Sequence, residues 1–397
     1  MRCPHSIRSL PNRASLTGVP VRFDVAVIGC GIAGAAVAAE LSSERSVVLL
    51  ETEMQPGYHS TGRSVAMLDR SYGNSVVQAL TAASLEPLHR LQSTGTGEPL
   101  LLPRGVLHVA REDQRVALER FGERVSTPDQ RVEYHDGSFA RAKVPLLRDG
   151  YAAGCAYEPD AQEIDVAALL SALLRQLRSR GAQVRLGAPV EALNHAKGSW
   201  QLAGPAGRLE AQIIVNAAGA WADELAIRAG GRALGLVPMR RTVCTIAAPQ
   251  VPIRAEWPFV VDIDELFYFK QESARLLVSP ADETSLTACD AWPDDADVAL
   301  AVERLEAACD LTVTRVGRCW AGLRSFYPDR TPAIGVDPEL PDFWWCAGLG
   351  GYGIQASLGA AACLAALLRS APLPADLQVN NTQAADFAPS RLFSRHN

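Results

Sequence analysis

The chain has 397 residues, of which 48% are hydrophobic and 21% are charged, and it carries a formal net charge of -6 at pH 7. This size and composition are ordinary for a globular protein and predict two domains with substantial apolar cores. The negative charge balance, with no basic run against it, argues against a general nucleic-acid surface, so we expect no nucleic-acid partner.

The two ends of the chain and its cysteines bear on localisation. Residues 1–20 contain no acidic residue, and we expect a flexible extension there, with a transit-like leader as the alternative. A flexible tail is expected over residues 386–397. The nine cysteines form no Cys-x-x-Cys pair, which is typical of reduced cytosolic thiols. No apolar run is long enough to cross a bilayer, so we predict a cytoplasmic protein without a transmembrane segment, or one peripheral to the inner membrane.

The first predicted unit joins two short apolar runs through a glycine-rich turn. Residues 25–28 lead into the Gly-x-Gly-x-x-Gly pattern of residues 29–34, and a helix of small residues follows to Ser42. A second apolar run, residues 47–50, ends on Glu51. This is the order of elements in a dinucleotide-binding βαβ unit: strand, glycine turn, helix, strand and acidic residue.

Each position of this unit has a physical role. Gly29 allows the tight turn, Gly31 lets the backbone approach a pyrophosphate, and Gly34 brings the helix close to the sheet. Glu51 can accept hydrogen bonds from a ribose 2′-hydroxyl, and its charge would repel a 2′-phosphate. The unit therefore fits FAD or NAD(H) and not NADP(H). The predicted pyrophosphate contacts are Gly29, Gly31, Ile32, Ala33 and Gly34.

The next elements are mixed. Residues 76–91 have a helical pattern that Pro87 is expected to bend or split. Residues 100–110 and 131–144 read as strands and loops with little helix. Asp165 is placed to cap an amphipathic helix that Gly181 would end.

The strand, glycine turn and helix pattern recurs twice. Residues 213–216 lead into residues 217–221, and residues 343–347 lead into a glycine-rich loop and an alanine-rich helix. We therefore predict an α/β protein with a discontinuous Rossmann-like domain and a sheet-based second domain formed by insertions (α+β). The first domain is assigned residues 21–70, 151–234 and 316–385, and the second is assigned residues 71–150 and 235–315.

Four segments carry a resemblance to a known family: residues 55–64, 215–221, 320–326 and 350–355. Over about residues 22–370 the chain resembles the FAD-dependent D-amino-acid oxidase/dehydrogenase superfamily, and most closely the D-arginine dehydrogenase type of bacterial flavoenzyme. The resemblance implies non-covalently bound FAD, with His59 as a less favoured covalent attachment point. It also implies oxidation of the Cα–N bond of a D-amino acid, whose imino acid product hydrolyses to a 2-oxo acid and ammonia.

The resemblance also implies which residues approach the cofactor. The segment after the second strand would run along the pyrophosphate and the isoalloxazine, with a surface turn as the alternative. The middle glycine turn would pass the dinucleotide, and the last loop would present helix amides to the flavin N1–C2=O region. These residues are Thr61, Gly62, Arg63, Ser64, Ala218, Gly219, Trp221, Gly350, Gly351, Tyr352, Gly353 and Ile354.

The substrate carboxylate requires a planar, bidentate cation. Arg324 stands in an otherwise apolar strand and is the predicted clamp, with a structural ion pair as the alternative. Arg241 is a second clamp or a solvated charge, and Tyr268 is a hydroxyl donor or a packing residue. Tyr72 and Gly351 complete the predicted catalytic pocket.

The chain departs from a pocket for arginine. Val106 stands where a side-chain carboxylate is expected, Met67 is apolar where a polar lining is expected, and Asp69 is a candidate to compensate. A neutral or hydrophobic D-amino acid is therefore at least as well supported. The alternatives are a glycine- or sarcosine-type secondary amine oxidase or dehydrogenase, and a non-catalytic flavin-binding subunit. The electron acceptor is left open between a quinone, a carrier and oxygen.

Overall fold

The computed structural model describes residues 20–94, 99–124, 130–247 and 252–393. The predicted N-terminal extension, except its last residue, and residues 394–397 of the predicted tail lie outside these ranges. The strands are β1 (Val21–Ile28), β2 (Val47–Leu50), β3 (Met67–Leu68), β4 (Leu101–Pro103), β5 (Val106–Ala110), β6 (Glu133–Asp136), β7 (Gly154–Glu158), β8 (Gln162–Ile164), β9 (Gln183–Arg185), β10 (Ala192–Ala196), β11 (Ser199–Gly204), β12 (Gly207–Asn216), β13 (Val237–Ile246), β14 (Phe259–Asp262), β15 (Tyr268–Glu272), β16 (Arg275–Ser279), β17 (Thr284–Ser285), β18 (Val316–Phe326), β19 (Ala333–Val336) and β20 (Phe343–Ala347). The helices are α1 (Ile32–Leu41), α2 (Ser75–Thr94), α3 (Arg115–Arg124), α4 (Gly137–Lys143), α5 (Val166–Ser179), α6 (Ala222–Arg228), α7 (Asp295–Ala308), α8 (Gly353–Leu368), α9 (Ala375–Val379), α10 (Ala384–Phe387) and α11 (Ser390–Phe393), with 3-10 turns at Thr61–Arg63, Glu112–Gln114 and Gly219–Trp221.

The first sheet is the nucleotide-type sheet that the apolar runs predict. Strands β12 and β2 flank β1 in parallel, β9 extends the sheet beyond β2, and β20 lies parallel to the end of β12. The core of β1 and all of β2 are buried, as expected for parallel strands covered on both faces. Helix α1 packs against α5 and α8 on one side of this sheet. The predicted α/β fold with a Rossmann-like unit is confirmed.

The second sheet has the order β17-β13-β16-β15-β14-β5-β7-β6, and β18 pairs with β13. A small third sheet has the order β3-β8-β4. Two of the predicted domain boundaries therefore differ from the structure. Strand β7 lies in the second sheet because it pairs with β5, and β18 lies there because it pairs with β13 along most of its length. Residues 151–158 and 316–326 thus belong with the insertions.

Local sequence signals explain the helix ends. The Asp165 carboxylate accepts a hydrogen bond from the Ala168 amide at 2.8 Å, and the leucines of α5 are buried, as predicted. Helix α4 was not predicted. It forms because the Asp136 carboxylate accepts hydrogen bonds from the amides of Ser138 and Phe139 and so caps its first turn.

Helix α2 continues through Pro87, so the expected split is absent, while the alternative of a bend stays a prediction. The expected tail is wrong over residues 386–393. These residues form the second half of α10 and all of α11, and they bury Phe387 and Leu392 in the cores on the two faces of the first sheet. Among the described residues, no helix combines the length and the apolar character needed to span a bilayer.

Candidate functional site

The carboxyl ends of β1, β2 and β12 meet at one edge of the first sheet, where an α/β sheet binds its ligand. Gly29 has φ +106°, and a Cβ there would lie 2.3 Å from the carbonyl oxygen of Ala217. A Cβ on Gly34 would lie 1.8 Å from the carbonyl oxygen of Gly29. Only glycine fits at these two positions, so the turn, the helix and the loop after β12 are packed backbone to backbone.

Glu51 is oriented by the glycine turn itself. Its carboxylate accepts hydrogen bonds from the backbone amides of Cys30 at 2.7 Å and Glu53 at 3.0 Å. One carboxylate oxygen therefore takes a donor from the glycine turn, the other takes one from the backbone after β2, and each keeps capacity for another. This arrangement fits a nucleotide ribose, whose hydroxyls are donors.

A cavity of about 450 Å³ extends from this edge to the second sheet. The predicted residues that line it come from both sheets and from the loop before α8. They are Ile32, Thr61, Arg63, Ser64, Tyr72, Arg241, Tyr268, Arg324, Gly350, Gly351, Tyr352, Gly353 and Ile354. The predicted residues outside its lining are Gly29, Gly31, Ala33, Gly34, Glu51, Gly62, Ala218, Gly219 and Trp221.

The residues present fit FAD on structural grounds. Helices α1 and α8 have neither a side-chain cap at the N-cap residue nor an acidic residue in the first turn. Their dipoles, and their first-turn amides other than that of Ile32, are therefore available to negative groups. A Cβ on Gly351 would lie 1.5 Å from Nη2 of Arg324, and one on Gly350 would overlap the Phe326 ring. Gly350 and Gly351 therefore bring bare backbone of this loop to the pocket, while Tyr352 contributes a side chain.

The segment of residues 61–64 differs from the prediction in one respect. Its Thr61 hydroxyl accepts a hydrogen bond from the Ile32 amide at 3.0 Å and so covers the start of α1. The Arg63 guanidinium instead donates to the carbonyl oxygens of Ala291 and Ala321, each at 2.9 Å, and pairs with Asp290. Three of its five N–H donors are used within the protein, so this side chain links the segment to the second sheet.

His59 and Trp221 pack on each other outside the cavity lining, with ring centroids 4.6 Å apart. His59 also lies 3.0 Å from a carboxylate oxygen of Glu53. The predicted contact of Trp221 with the cofactor, and the non-covalent attachment of FAD, both stay predictions.

Arg324 is the central cation of the cavity. Its Nη2 donates to the hydroxyl of Tyr72, and its buried Nη1 has no hydrogen-bond partner among the described residues. The Tyr72 ring packs edge-on against Tyr352, with centroids 5.1 Å apart. The guanidinium thus has a fixed orientation and an unused donor, which is what an incoming carboxylate requires.

Side chains alternate between the two faces of β13, so only one of two adjacent arginines faces the cavity. Arg241 lines the cavity with its guanidinium 5.9 Å from the Tyr268 ring, while Arg240 donates to Asp297 of α7 at 2.7 Å. Arg241 also donates to the carbonyl oxygen of Asp282 at 2.8 Å and to Glu283 at 3.3 Å. Part of its donor capacity is therefore already used.

The cavity also contains residues that the sequence analysis missed. Arg330 lines it and donates to both carboxylate oxygens of Glu283, at 3.0 and 2.7 Å. Ser71, His108 and Glu265 line it as well. No motif marks these positions, because they come together only through strands and turns distant in sequence.

Part of the cavity lining is apolar and includes Met67, Phe259 and Val261, while the predicted departure from an arginine pocket stays a prediction. Val106 is buried against Val261 and Met67, and this apolar cluster includes Phe259 and Tyr268. Asp69 lines the cavity beside this wall and is 8% exposed.

Comparisons with known proteins agree with this geometry. Residues 24–367 match the family model described as FAD dependent oxidoreductase. The chain is 26% identical to the glycine oxidase of Geobacillus kaustophilus over 94% of this chain and 97% of that protein. It is 25% identical to the human mitochondrial dimethylglycine dehydrogenase over 84% of this chain and 41% of that protein, so it spans less than half of that relative.

A solved structure shares the fold. The L-proline dehydrogenase of P. horikoshii superposes with a TM-score of 0.82 at 21% identity and covers 95% of this chain and 99% of that one. These findings do not single out the D-arginine dehydrogenase type, so that finer resemblance stays a prediction. The chain belongs to the FAD dependent oxidoreductase family.

Proposed function

We propose that the protein oxidises the C–N bond of an amino acid that it holds by the carboxylate. The observation that carries this proposal is the buried Arg324, which lies over Gly351 in the cavity and whose Nη1 has no hydrogen-bond partner within the part of the chain that the structure describes. FAD, when bound, would supply the hydride acceptor. The chain's own residues would bind the carboxylate, orient the α carbon and exclude water.

Tyr72 would share the carboxylate with Arg324. Burial, partly offset by the charge of Arg324, raises the pKa of Tyr72 to about 12. The hydroxyl therefore keeps its proton at neutral pH. Because its oxygen already accepts from Arg324, its proton is available to the substrate.

We propose a glycine- or sarcosine-type amine as the first substrate candidate. The family match and the likeness to glycine oxidase and dimethylglycine dehydrogenase support it. A D-amino acid with a neutral or hydrophobic side chain is the second candidate. It is favoured by the apolar wall of Phe259, Val261 and Ile263, which offers more surface than glycine can cover.

Anaerobic mixing of the purified flavoprotein with single substrates tests the proposal. The panel contains glycine, sarcosine, dimethylglycine and matched D- and L-amino acids, and the readout is bleaching of the flavin absorbance. Bleaching by any of these amino acids supports the activity, and the order of rates identifies the substrate form. A flavin that none of them reduces would favour the non-catalytic flavin-binding subunit. Hydrogen peroxide release under air then tests oxygen as the acceptor.

Replacing Arg324 tests the proposed clamp. We expect Arg324→Ala to lower kcat/KM on the order of a hundredfold or more, because a desolvated carboxylate loses its only fixed bidentate partner. Arg324→Lys should restore part of this loss. The control is Arg318→Lys, an exposed position on the same strand. Unchanged turnover in a flavin-loaded Arg324→Ala protein would contradict the proposal.

A further inference from the structure

A chain of buried polar side chains joins the cavity to a second, smaller pocket. Asp69, Ser71 and His108 line the cavity, and Glu158 lines the second pocket, whose volume is about 190 Å³. All four side chains belong to buried residues. They come from the turn after β3, from β5 and from β7, so the fold of the second and third sheets creates this connection.

The contacts are continuous from one pocket to the other. The Ser71 hydroxyl oxygen lies 2.8 Å from Oδ1 of Asp69 and 2.6 Å from Oε1 of Glu158. Nε2 of His108 lies 2.8 Å from the same Glu158 oxygen, and Gln130 donates to the other one. Oδ2 of Asp69 takes no hydrogen bond from any residue that the structure describes.

The contacts of this group can all be hydrogen bonds when it holds one more proton than its side chains carry when ionised. A serine hydroxyl has a single proton and can donate to only one of the two carboxyl groups. When the hydroxyl of Ser71 donates to Glu158, the contact with Oδ1 of Asp69 becomes a second hydrogen bond once Asp69 is protonated. The Ser71 amide also donates to this Asp69 oxygen, at 2.9 Å, and so holds the two side chains together in either protonation state.

The surrounding charges agree with this count. Burial and the charge of Glu158, opposed by His108, raise the pKa of Asp69 to about 7. Burial alone would lower the pKa of His108, but its hydrogen bond with Glu158 and the charges of Glu158, Asp69 and Glu265 raise it. Burial alone would raise the pKa of Glu158, but His108, Ser71 and Gln130 lower it.

A neutral side chain of α8 holds the backbone of Asp69. Gln355 of α8 accepts from the Asp69 amide and donates to its carbonyl oxygen, each at 3.0 Å. The position of Asp69 is therefore fixed from the same helix whose N-terminus faces the cavity.

We propose that Asp69, Ser71 and Glu158 form a proton relay from the cavity to the second pocket, with His108 as a positioning residue. The proposal rests on the proposed oxidation of an amino acid, whose ammonium form must lose a proton before a hydride leaves the α carbon. An N–H bond of the substrate breaks, and its proton binds the ionised Asp69. Asp69 then protonates the Ser71 oxygen while the hydroxyl proton of Ser71 moves to Glu158. Glu158 releases the proton to solvent in the second pocket, so no charge accumulates and no oxidant or reductant is needed.

Flavin reduction followed anaerobically at saturating substrate tests the relay. In the unmodified protein, the rate should fall as the pH drops through about 7, because Asp69 accepts a proton only when it is ionised. Asp69→Asn should reduce flavin at least tenfold more slowly and lose this acidic limb. Ser71→Ala should keep the limb but slow repeated turnover more than the first reduction. Ser84→Ala, a buried serine of α2 outside the relay, is the matched control.

Infrared spectroscopy gives a readout that needs no substrate. A protonated-carboxyl stretch should disappear as the pH rises past neutrality, and this band should be missing in Asp69→Asn. If no such band titrates, if Asp69→Asn reduces flavin with the pH profile of the unmodified protein, or if Ser71→Ala turns over repeatedly at the unmodified rate, the relay is wrong. If instead no amino acid reduces the unmodified protein while the band titrates as expected, the proposed function fails and the proton-holding cluster stands.

Discussion

At the scale of single residues, the cavity is organised around one shared carboxylate. Glu283 lies 2.7 Å from Arg330, 3.3 Å from Arg241 and 3.8 Å from Arg324. Although burial opposes ionisation, the hydrogen bond and charge of Arg330 and the charges of the other two arginines hold the pKa of Glu283 below its usual range. Glu283 thus orients three cations, and the long contact leaves the Arg324 guanidinium available to a substrate.

The Tyr72 hydroxyl gives a prediction at this scale. We expect Tyr72→Phe to raise KM for the amino acid roughly tenfold, because a hydrogen bond to a charged group contributes about 1.5–3 kcal/mol. The effect should fall on KM more than on kcat, since the carboxylate is bound before and during hydride transfer. Steady-state kinetics checks this, with Tyr134→Phe on the exposed face of β6 as the control. An unchanged KM would exclude Tyr72 from the carboxylate site.

At the scale of elements, the first βαβ unit depends on backbone contact. Helix α1 begins directly after the glycine turn and is buried along most of its length by small residues. This close packing brings its free first-turn amides to the edge where β1, β2 and β12 end. A side chain between helix and turn would move those amides away from the predicted pyrophosphate position.

Gly34→Ala tests this element. The added methyl group would stand 1.8 Å from the Gly29 carbonyl oxygen, so we expect a loss of at least about 1–3 kcal/mol in unfolding free energy and a lower FAD content. Denaturant unfolding and the flavin absorbance per protein measure both effects. Gly181→Ala is the control, because its φ of +81° causes strain but no atom lies within 4 Å. That variant should lose about 1–2 kcal/mol and keep its FAD. Full FAD content in Gly34→Ala would contradict the prediction.

At the scale of the whole molecule, an ion-pair group connects the third sheet to the second. Glu163 of β8 pairs with Arg104 at 2.6 Å and with Lys270 of β15. Lys270 is 4% exposed, and Glu163 is the nearer of its two carboxylate partners, the other being Glu272 at 3.4 Å. Although burial opposes ionisation, Lys270 and Arg104 hold the pKa of Glu163 below its usual value of 4.5.

Glu163→Gln should therefore lower the unfolding free energy by about 1–3 kcal/mol at neutral pH, because it leaves the buried Lys270 with only its longer pair to the exposed Glu272, at 3.4 Å. The stabilisation by Glu163 is present above pH 4.5 and is lost as the pH falls through its lower value in the folded protein. The difference between the variant and the unmodified protein should shrink in acid. Urea unfolding at neutral and acidic pH measures it. Glu86→Gln, at an exposed pair with Arg90, should change little at either pH.

The sequence alone determined half of the fold, namely the first sheet with its glycine turn. The turn of residues 29–34, the acid at Glu51 and the apolar runs are local signals, because φ, backbone clearance and strand burial depend on neighbours close along the chain. The importance of Arg324 could also be predicted from the sequence, since a charge within an apolar strand requires a partner wherever the strand packs. The family match agrees with this half.

Only the tertiary structure decided the rest of the site. The pairing of β18 with β13 placed Arg324 in the second sheet, and the register of β13 turned Arg241 and not Arg240 into the cavity. Ser71, His108 and Glu158 meet across as many as 87 residues of sequence. Strand pairing between distant segments sets these contacts, and no periodicity within one segment encodes which distant strand will become its neighbour.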